Sequence, residues 1–177
     1  MKRHFFPIIL FICLLQLQAQ PQEHTLQFML TFNGETLEMG KKYYLPSIKD
    51  SVELETLRFY VSDLQWLQNE EIVAAMAKKH WLIDAEKTES LKQTFTTDSL
   101  SKKLFNKLQF QLGIDSLTNV SGAFGGDLDP TNGMYWTWQS GYINFKLEGI
   151  SKVCPARKTV FNSILAATNN PSMHCKT

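Results

Sequence analysis

The stretch "SVELETLRFYVSDL", residues 51–64, alternates apolar and polar side chains twice. Val52 and Leu54 share one parity, whereas Leu57, Phe59 and Val61 share the other. A period of two is typical of a β-strand with one buried face. Because a one-residue slip turns side chains to the opposite face of a sheet, the parity change near Thr56 predicts a bulge or bend.

Further strands are predicted on both sides of this one, at "HTLQFMLTF", "HWLIDA", "KLQFQLGID" and "YINFKLEGI". In "KLQFQLGID" the apolar residues share one parity and are expected to face the core: Leu108, Phe110, Leu112 and Ile114. Glycine and asparagine mark the turns between these segments. Together, these strands and turns predict one all-β domain, an antiparallel β-sandwich.

One short helical insertion is predicted in "DSLSKKLFNKL", residues 98–108. Asp98 or Ser99 can cap its first turn. Three leucines then fall on one helical face: Leu100, Leu104 and Leu108.

The first 20 residues are typical of a secretory signal peptide. Lys2 and Arg3 precede an apolar run from Phe5 to Leu17, and the small residue Ala19 follows. That run is shorter than the roughly 20 residues that a membrane-spanning helix needs. We therefore expect a protein of the periplasm or a secreted protein, without a membrane span.

The charge balance gives no case for nucleic-acid binding. The chain has 18 basic and 17 acidic residues, and loss of Lys2 and Arg3 with the leader would leave 16 basic residues. A near-neutral chain without a basic patch does not attract phosphate backbones. Two cysteines would remain, Cys154 and Cys175, and an oxidising compartment would allow them to pair.

The segment "GGDLDPTNGMYWTWQSGY", residues 125–142, concentrates glycine, aspartate and aromatic residues. Trp136 and Trp138 share one parity, but the apolar parity changes across Ser140-Gly141. A bulge at Gly141 would keep both apolar sets on one core face, and we favour it because tryptophan usually packs. A straight strand would instead place the tryptophans on the face opposite the core.

A calcium site is the weaker interpretation of "GDLDPTNG". Asp127 and Asp129 have the spacing of an EF-hand loop, but the glycine comes one residue late, at Gly133. Trp138 occupies the position where a bidentate glutamate is needed. An Asp/Pro/Asn/Gly turn is expected instead.

The runs "LRFYVSDLQW", "HWLIDA", "FQLGIDS" and "GDLDPTNGMYWTWQSGYINFKLEG" together resemble the MbnP-like family of periplasmic copper-binding proteins. The likeness extends from about Thr25 to Phe161 and is most specific between Gly113 and Gly149. It implies an all-β domain, and a di-haem peroxidase-like (MauG-like) partner that oxidises a tryptophan to kynurenine.

The resemblance also implies a site. Trp136 and Trp138 are the tryptophans of the matching motif, so one of them is expected to be modified and then to bind copper. An indole has only an N–H donor and no ligand atom for a metal, whereas the aryl amine of kynurenine is a nitrogen ligand that suits copper. His80 is the candidate imidazole ligand, one residue before the position at which relatives carry a histidine, here Trp81. Trp66 and Trp81 lie outside the motif and are expected in the core.

The C-terminal segment departs from the family. After Phe161 relatives continue with a strand similar to F-H-I-G-G, but this chain has "SILAATNNPSMHCKT", residues 163–177. Plausible codons for that segment, read one nucleotide earlier, encode F-H-I-G-G-Y-Q-Q-P-F-N-A-L-Q. We therefore expect a β domain over residues 21–162 and a frameshifted tail over 163–177, so that the domain lacks paired C-terminal strands.

Two functions follow, and neither is enzymatic. No nucleophile–base pattern, phosphate loop or metalloprotease motif occurs in the sequence, and Asp84 and Glu86 are explained by alternate surface charges. The favoured function is copper binding through a tryptophan-derived kynurenine. The alternative is a secreted β-sandwich that keeps the fold and acts as an interaction module without binding metal.

Overall fold

The computed structural model describes residues 22–77, 79–97, 105–138, 141–152, 160–166 and 172–175. Its helix and strands, in chain order, are β1 (Gln22–Gln27), β2 (Thr31–Phe32), β3 (Glu35–Thr36), β4 (Lys42–Leu45), β5 (Asp50–Gln68), β6 (Glu71–Ala75), β7 (His80–Asp84), β8 (Lys92–Thr97), β9 (Lys107–Leu112), α1 (Ser116–Val120), β10 (Tyr135–Trp136), β11 (Gly141–Ser151), β12 (Val160–Ala166) and β13 (Ser172–Cys175). The predicted all-β antiparallel architecture is confirmed. Within these ranges, no helix is long and apolar enough to cross a membrane.

The long strand β5 organises the large sheet. Its first half pairs with β4 and β11, and its second half pairs with β6, β7 and β9. Opposite Glu148 and Gly149 of β11 the register passes from Thr56 to Leu54, which skips Glu55. The predicted bulge near Thr56 is thereby confirmed. A second irregularity, which the sequence did not predict, lies at Asp63, whose φ is +50°.

One face of this sheet, the strand-covered face, lies under the two-stranded β1–β8 sheet. Its buried residues are Val61, Leu64, Trp66, Ala74, Trp81 and Ile83. Leu26 and Phe28 pack against them from the β1 side, and Phe28 meets Phe59 edge to face at 6.2 Å. The bulge at Asp63 returns Leu64 to the same face as Val61, so the apolar layer continues along the strand.

The opposite face, the loop-covered face, lies under the chain between β9 and β11. Its buried residues are Tyr60, Leu82, Ile114, Leu128, Met134, Tyr142 and Ile143. Tyr60 and Leu82 are cross-strand partners in β5 and β7, and a strand turns alternate residues to alternate faces. His80, two residues before Leu82, therefore belongs to this loop-covered face.

The predicted helical insertion does not extend to Leu108, and the predicted core face of one strand is mostly exposed. Leu108 belongs to β9 and not to a helix, and residues 98–104 lie outside the described ranges. The short helix is α1, which begins after its capping residue Asp115. The predicted core face of "KLQFQLGID" is buried only at Ile114, and Phe110 is 50% exposed. Among the described strands β9 pairs with β5 alone, so it forms an edge where side chains stay accessible to water.

The expectation that no paired strand follows Asn162 is also wrong. β12 pairs with β11 from Ile143↔Ala166 to Ile150↔Val160, and β13 pairs with β12. Ladder hydrogen bonds join backbone groups, so the pairing does not by itself show which reading frame encodes the segment. The frameshift remains a prediction, tested by sequencing the gene beyond the Asn162 codon. The signal peptide and Cys154 lie outside the described residues, so pairing of Cys154 with Cys175 is not tested.

Candidate functional site

The tryptophan motif forms a β-hairpin. Tyr135 pairs with Tyr142 and Trp136 pairs with Gly141, so residues 137–140 connect β10 to β11. Both sequence alternatives, a bulge at Gly141 and one straight strand, are therefore wrong. The chain reverses direction here. Across a hairpin, cross-strand pairing determines which side chains share a face, and odd or even position in the sequence does not. The parity change at Ser140-Gly141 comes from this reversal.

The two indole rings of the motif lie against each other at the end of the hairpin. The centroids of Trp136 and Trp138 are 6.0 Å apart and the ring planes are 24° from parallel. Trp136 is partly buried against the core of the loop-covered face, whereas the Trp138 side chain is 76% exposed. The pair thus connects the protein surface to a packed aromatic interior.

Tyrosines form the interior behind this pair. The Tyr142 ring meets Tyr135 at 4.9 Å and Tyr60 at 6.0 Å, both edge to face. The Tyr142 hydroxyl donates to the Leu128 carbonyl oxygen at 3.0 Å and accepts from the Phe124 amide at 2.9 Å. Burial raises the pKa of Tyr142, and it raises that of Tyr60 still further. Both phenols therefore stay protonated at neutral pH.

The loop "GDLDPTNG" is held by its own aspartates. Asp127 Oδ2 accepts from the Leu82 amide at 3.1 Å, and Tyr60 donates to the Asp127 carbonyl oxygen at 3.1 Å. Asp129 Oδ1 accepts from the amide and hydroxyl of Thr131, which lowers the Asp129 pKa. Gly133 ends the turn in the left-handed region, at φ +69°. The loop is therefore the predicted turn, with its carboxylates bound to protein donors.

An ion cluster lies beneath the same loop. Arg58 Nε donates to Asp84 Oδ2 at 3.0 Å, and Arg58 Nη2 donates to Glu86 Oε2 at 2.7 Å. Its remaining nitrogen, Nη1, donates to the Asn132 carbonyl oxygen at 3.0 Å. Asp84 is 2% exposed, so its assignment as a surface charge is wrong. The cluster connects two sheet strands to the loop that precedes the tryptophans.

His80 is held by the cap of helix α1. Its Nε2 lies 3.0 Å from Asp115 Oδ2. Asp115 also accepts from the Thr118 amide at 2.9 Å and the Thr118 hydroxyl at 2.6 Å. The Thr118 hydrogen bonds, with a contribution from His80, lower the pKa of Asp115 to about 2. An open depression of about 280 Å³ adjoins the histidine and is lined by Lys79, His80, Gly125, Gly126, Asp127 and Leu128.

The structure divides the predicted metal residues between two places. Trp136 and Trp138 stack at the hairpin, and His80 lies on β7 on the same sheet face. In the described part of the chain no three histidine, cysteine, aspartate or glutamate side chains converge as a metal site. Trp66 and Trp81 are in the core of the strand-covered face, as predicted.

Sequence reasoning missed Arg58, Asp115 and Tyr142. Their partners are distant in sequence: Arg58 contacts Asn132, and Asp115 contacts His80. The one available signal was Asp115 before "SLT", which is a helix N-cap pattern. The helix that follows is only five residues long, so the sequence shows no apolar periodicity that would identify it.

Comparisons with known proteins agree with this architecture. A family model described as MbnP matches residues 21–175. Among solved structures, MbnP from Methylosinus trichosporium aligns with a TM-score of 0.58 at 15% identity, over 89% of this chain and 68% of that chain. At that identity the likeness shows the fold alone. A search of curated proteins found no match.

Proposed function

This chain belongs to the MbnP family, and from that premise we propose that it binds copper in the periplasm or outside the cell. In this proposal one of Trp136 and Trp138 is converted to kynurenine and then supplies a copper ligand. The oxidation requires a di-haem peroxidase-like partner, for which the hairpin is the substrate.

The conversion of the indole to kynurenine consumes two molecules of peroxide and one of water. Two oxygen atoms, supplied by two molecules of peroxide that leave as water, add to the indole C2 and C3 as the bond between them breaks. Water then removes the formyl group from nitrogen as formate. An aryl ketone and a free aryl amine remain, with one oxygen gained and one carbon lost relative to tryptophan. The amine is a ligand that the encoded indole cannot provide.

The observation that supports the proposal best is the exposed, stacked indole pair. A tryptophan 76% exposed on a soluble surface leaves a large apolar ring in water, where most tryptophans would be buried. Its exposed position beside Trp136 gives a docked haem partner a direct contact with an oxidisable aromatic group.

His80 fits the role of imidazole ligand through its neighbour. When Nε2 carries the proton and donates it to Asp115, Nδ1 keeps the lone pair that a metal needs. Metal-binding histidines commonly use a carboxylate in this way to fix ring orientation. Asp115, whose pKa is about 2, remains charged at neutral pH. The His80 imidazole and the aryl amine would each supply a nitrogen ligand, the kind that suits copper.

The test is expression of the full chain with and without its haem partner. We expect the peptide containing Trp136 and Trp138 to gain one oxygen and lose one carbon only when the partner is present. Near-ultraviolet absorbance of an aryl ketone and tight copper binding should appear with it.

The double variant Trp136→Phe/Trp138→Phe should lose all three signals, and Trp66→Phe is the matched control that should keep them. Unmodified rings and no copper binding in partner-treated protein, with a sequence-verified C-terminus, would refute the copper proposal.

The second candidate is an interaction module that does not bind metal. It is favoured by the commitment of Asp127 and Asp129 to protein donors and by the lack of a converging ligand cluster among the described residues. Under this alternative Trp138 contacts a partner protein without being oxidised. Partner-dependent mass change separates the two candidates, because only the copper proposal requires it.

A further inference from the structure

We propose that Trp138 is the ring that is opened and that Trp136 remains intact as its stacking partner. This assignment rests on the proposed function, which leaves the choice between the two rings open. Access for the reacting atoms favours Trp138 over Trp136. Two further features, the stacking of the rings and an interior that cannot accept the charge, keep the oxidising equivalent on the indole pair.

Access differs between the two rings. Oxygen must reach C2 and C3, and water must later reach the formyl group. Trp138 is 76% exposed, so oxygen and water reach its ring from solvent. Trp136 packs against the buried cluster that contains Tyr60, Leu82 and Tyr142, which restricts approach to that side of its ring.

Stacking lowers the cost of the first electron loss. The electron leaves for the haem-derived oxidant, and the positive charge that remains sits on an indole. At 6.0 Å between centroids and 24° between planes, the π face of Trp136 lies against Trp138 and stabilises that charge as it would a cation. Trp138 supplies the reactive edge, and Trp136 supplies the stabilising face.

Tyr60 and Tyr142, behind the indole pair, do not transfer an electron to the oxidised indole. A phenol that gives up an electron must also give up its proton, and the proton needs a base. The Tyr60 hydroxyl donates to the carbonyl oxygen of Asp127 at 3.1 Å, and that of Tyr142 donates to Leu128 at 3.0 Å. Backbone carbonyls do not take a proton at neutral pH, so neither phenol has a base to receive its proton. The oxidising equivalent therefore stays on the indoles.

The experiment treats the full chain with its haem partner and peroxide, and in parallel with a photochemically generated one-electron oxidant in oxygenated buffer. Tandem mass spectrometry then assigns oxygen to individual rings. We expect Trp138 to carry the product in both arms, with Trp66 and Trp81 as buried internal references that stay unmodified.

Variants separate stacking from exposure. Trp136→Leu should slow Trp138 oxidation by roughly 2- to 10-fold, the range that corresponds to a stacked aromatic pair. Trp136→Phe keeps an aromatic face and should restore most of the rate. Tyr142→Phe should leave the rate unchanged, because the proposal gives that phenol no part in the oxidation.

Each outcome bears on the assignment. Product on Trp136 in place of Trp138, or an accelerated rate after Tyr142→Phe, overturns it while the copper proposal stands. Equal rates for Trp136→Leu and Trp136→Phe would refute the claim that stacking on an aromatic ring at position 136 stabilises the oxidised Trp138. Partner-treated protein without product on either ring overturns the proposed function and this assignment together.

Discussion

The four tryptophans occupy two environments that differ in what covers them. Trp66 and Trp81 are each 6% exposed on the strand-covered face, under the β1–β8 sheet. Trp136 and Trp138 lie where the chain reverses at a hairpin, and within the described ranges no second layer covers Trp138. The same side chain thus stabilises the fold in one region and is presented to solvent in the other.

The sharpest test of this contrast compares Trp81→Ala with Trp138→Ala. Loss of the buried indole should reduce the free energy of unfolding by about 3–5 kcal/mol, because it leaves a cavity in the core. Loss of the exposed indole should change it by less than about 0.5 kcal/mol. Urea denaturation of both variants measures the difference. A large stability loss for Trp138→Ala would show that the hairpin indole is structural.

The ion cluster beneath the loop provides the second test. Arg58→Met leaves the buried Asp84 without its main cation, which should cost about 3 kcal/mol. The loop that Arg58 holds would loosen, so the far-ultraviolet circular dichroism couplet expected from the stacked tryptophans should weaken. Lys41→Met, which removes an exposed ion pair with Glu38, should change neither quantity measurably. An unchanged couplet in Arg58→Met would separate the ion cluster from the tryptophan site.

The smallest effect is expected at Asp115, which caps α1 and holds His80. Asp115→Ala should cost about 1 kcal/mol at neutral pH, whereas Asp115→Asn preserves most of the cap. The folded pKa of about 2 lies below the ordinary 3.8, so the carboxylate stabilises the fold above pH 3.8. That stability is lost as the pH falls from 3.8 to about 2.

Thermal melts across this acid range should therefore separate wild type from both Asp115 variants, which lack the titrating group. If Asp115→Asn kept the wild-type pH dependence below 3.8, another carboxylate would be responsible for it.

Prediction from the sequence succeeded where neighbouring residues decide the outcome. The period of two identified β5, and its parity change located the bulge that skips Glu55. It failed at Gly141, because a hairpin and a bulge produce the same parity change in a linear sequence. It also failed at Phe110, where alternation predicts a strand but not whether another layer covers it.

The sequence alone determined the strand periodicity, the turn chemistry around Asp129 and Gly133, and the resemblance that pointed to Trp136 and Trp138, because these depend on residues close together in the chain. Tertiary structure decided that the two indoles stack, that Arg58 and Asp115 support the loop-covered face, and that only Trp138 is presented to solvent. Those outcomes depend on the folded placement of side chains, some from residues far apart in the sequence, where distance, burial and charge set the energies. Periodicity contains no information on such contacts.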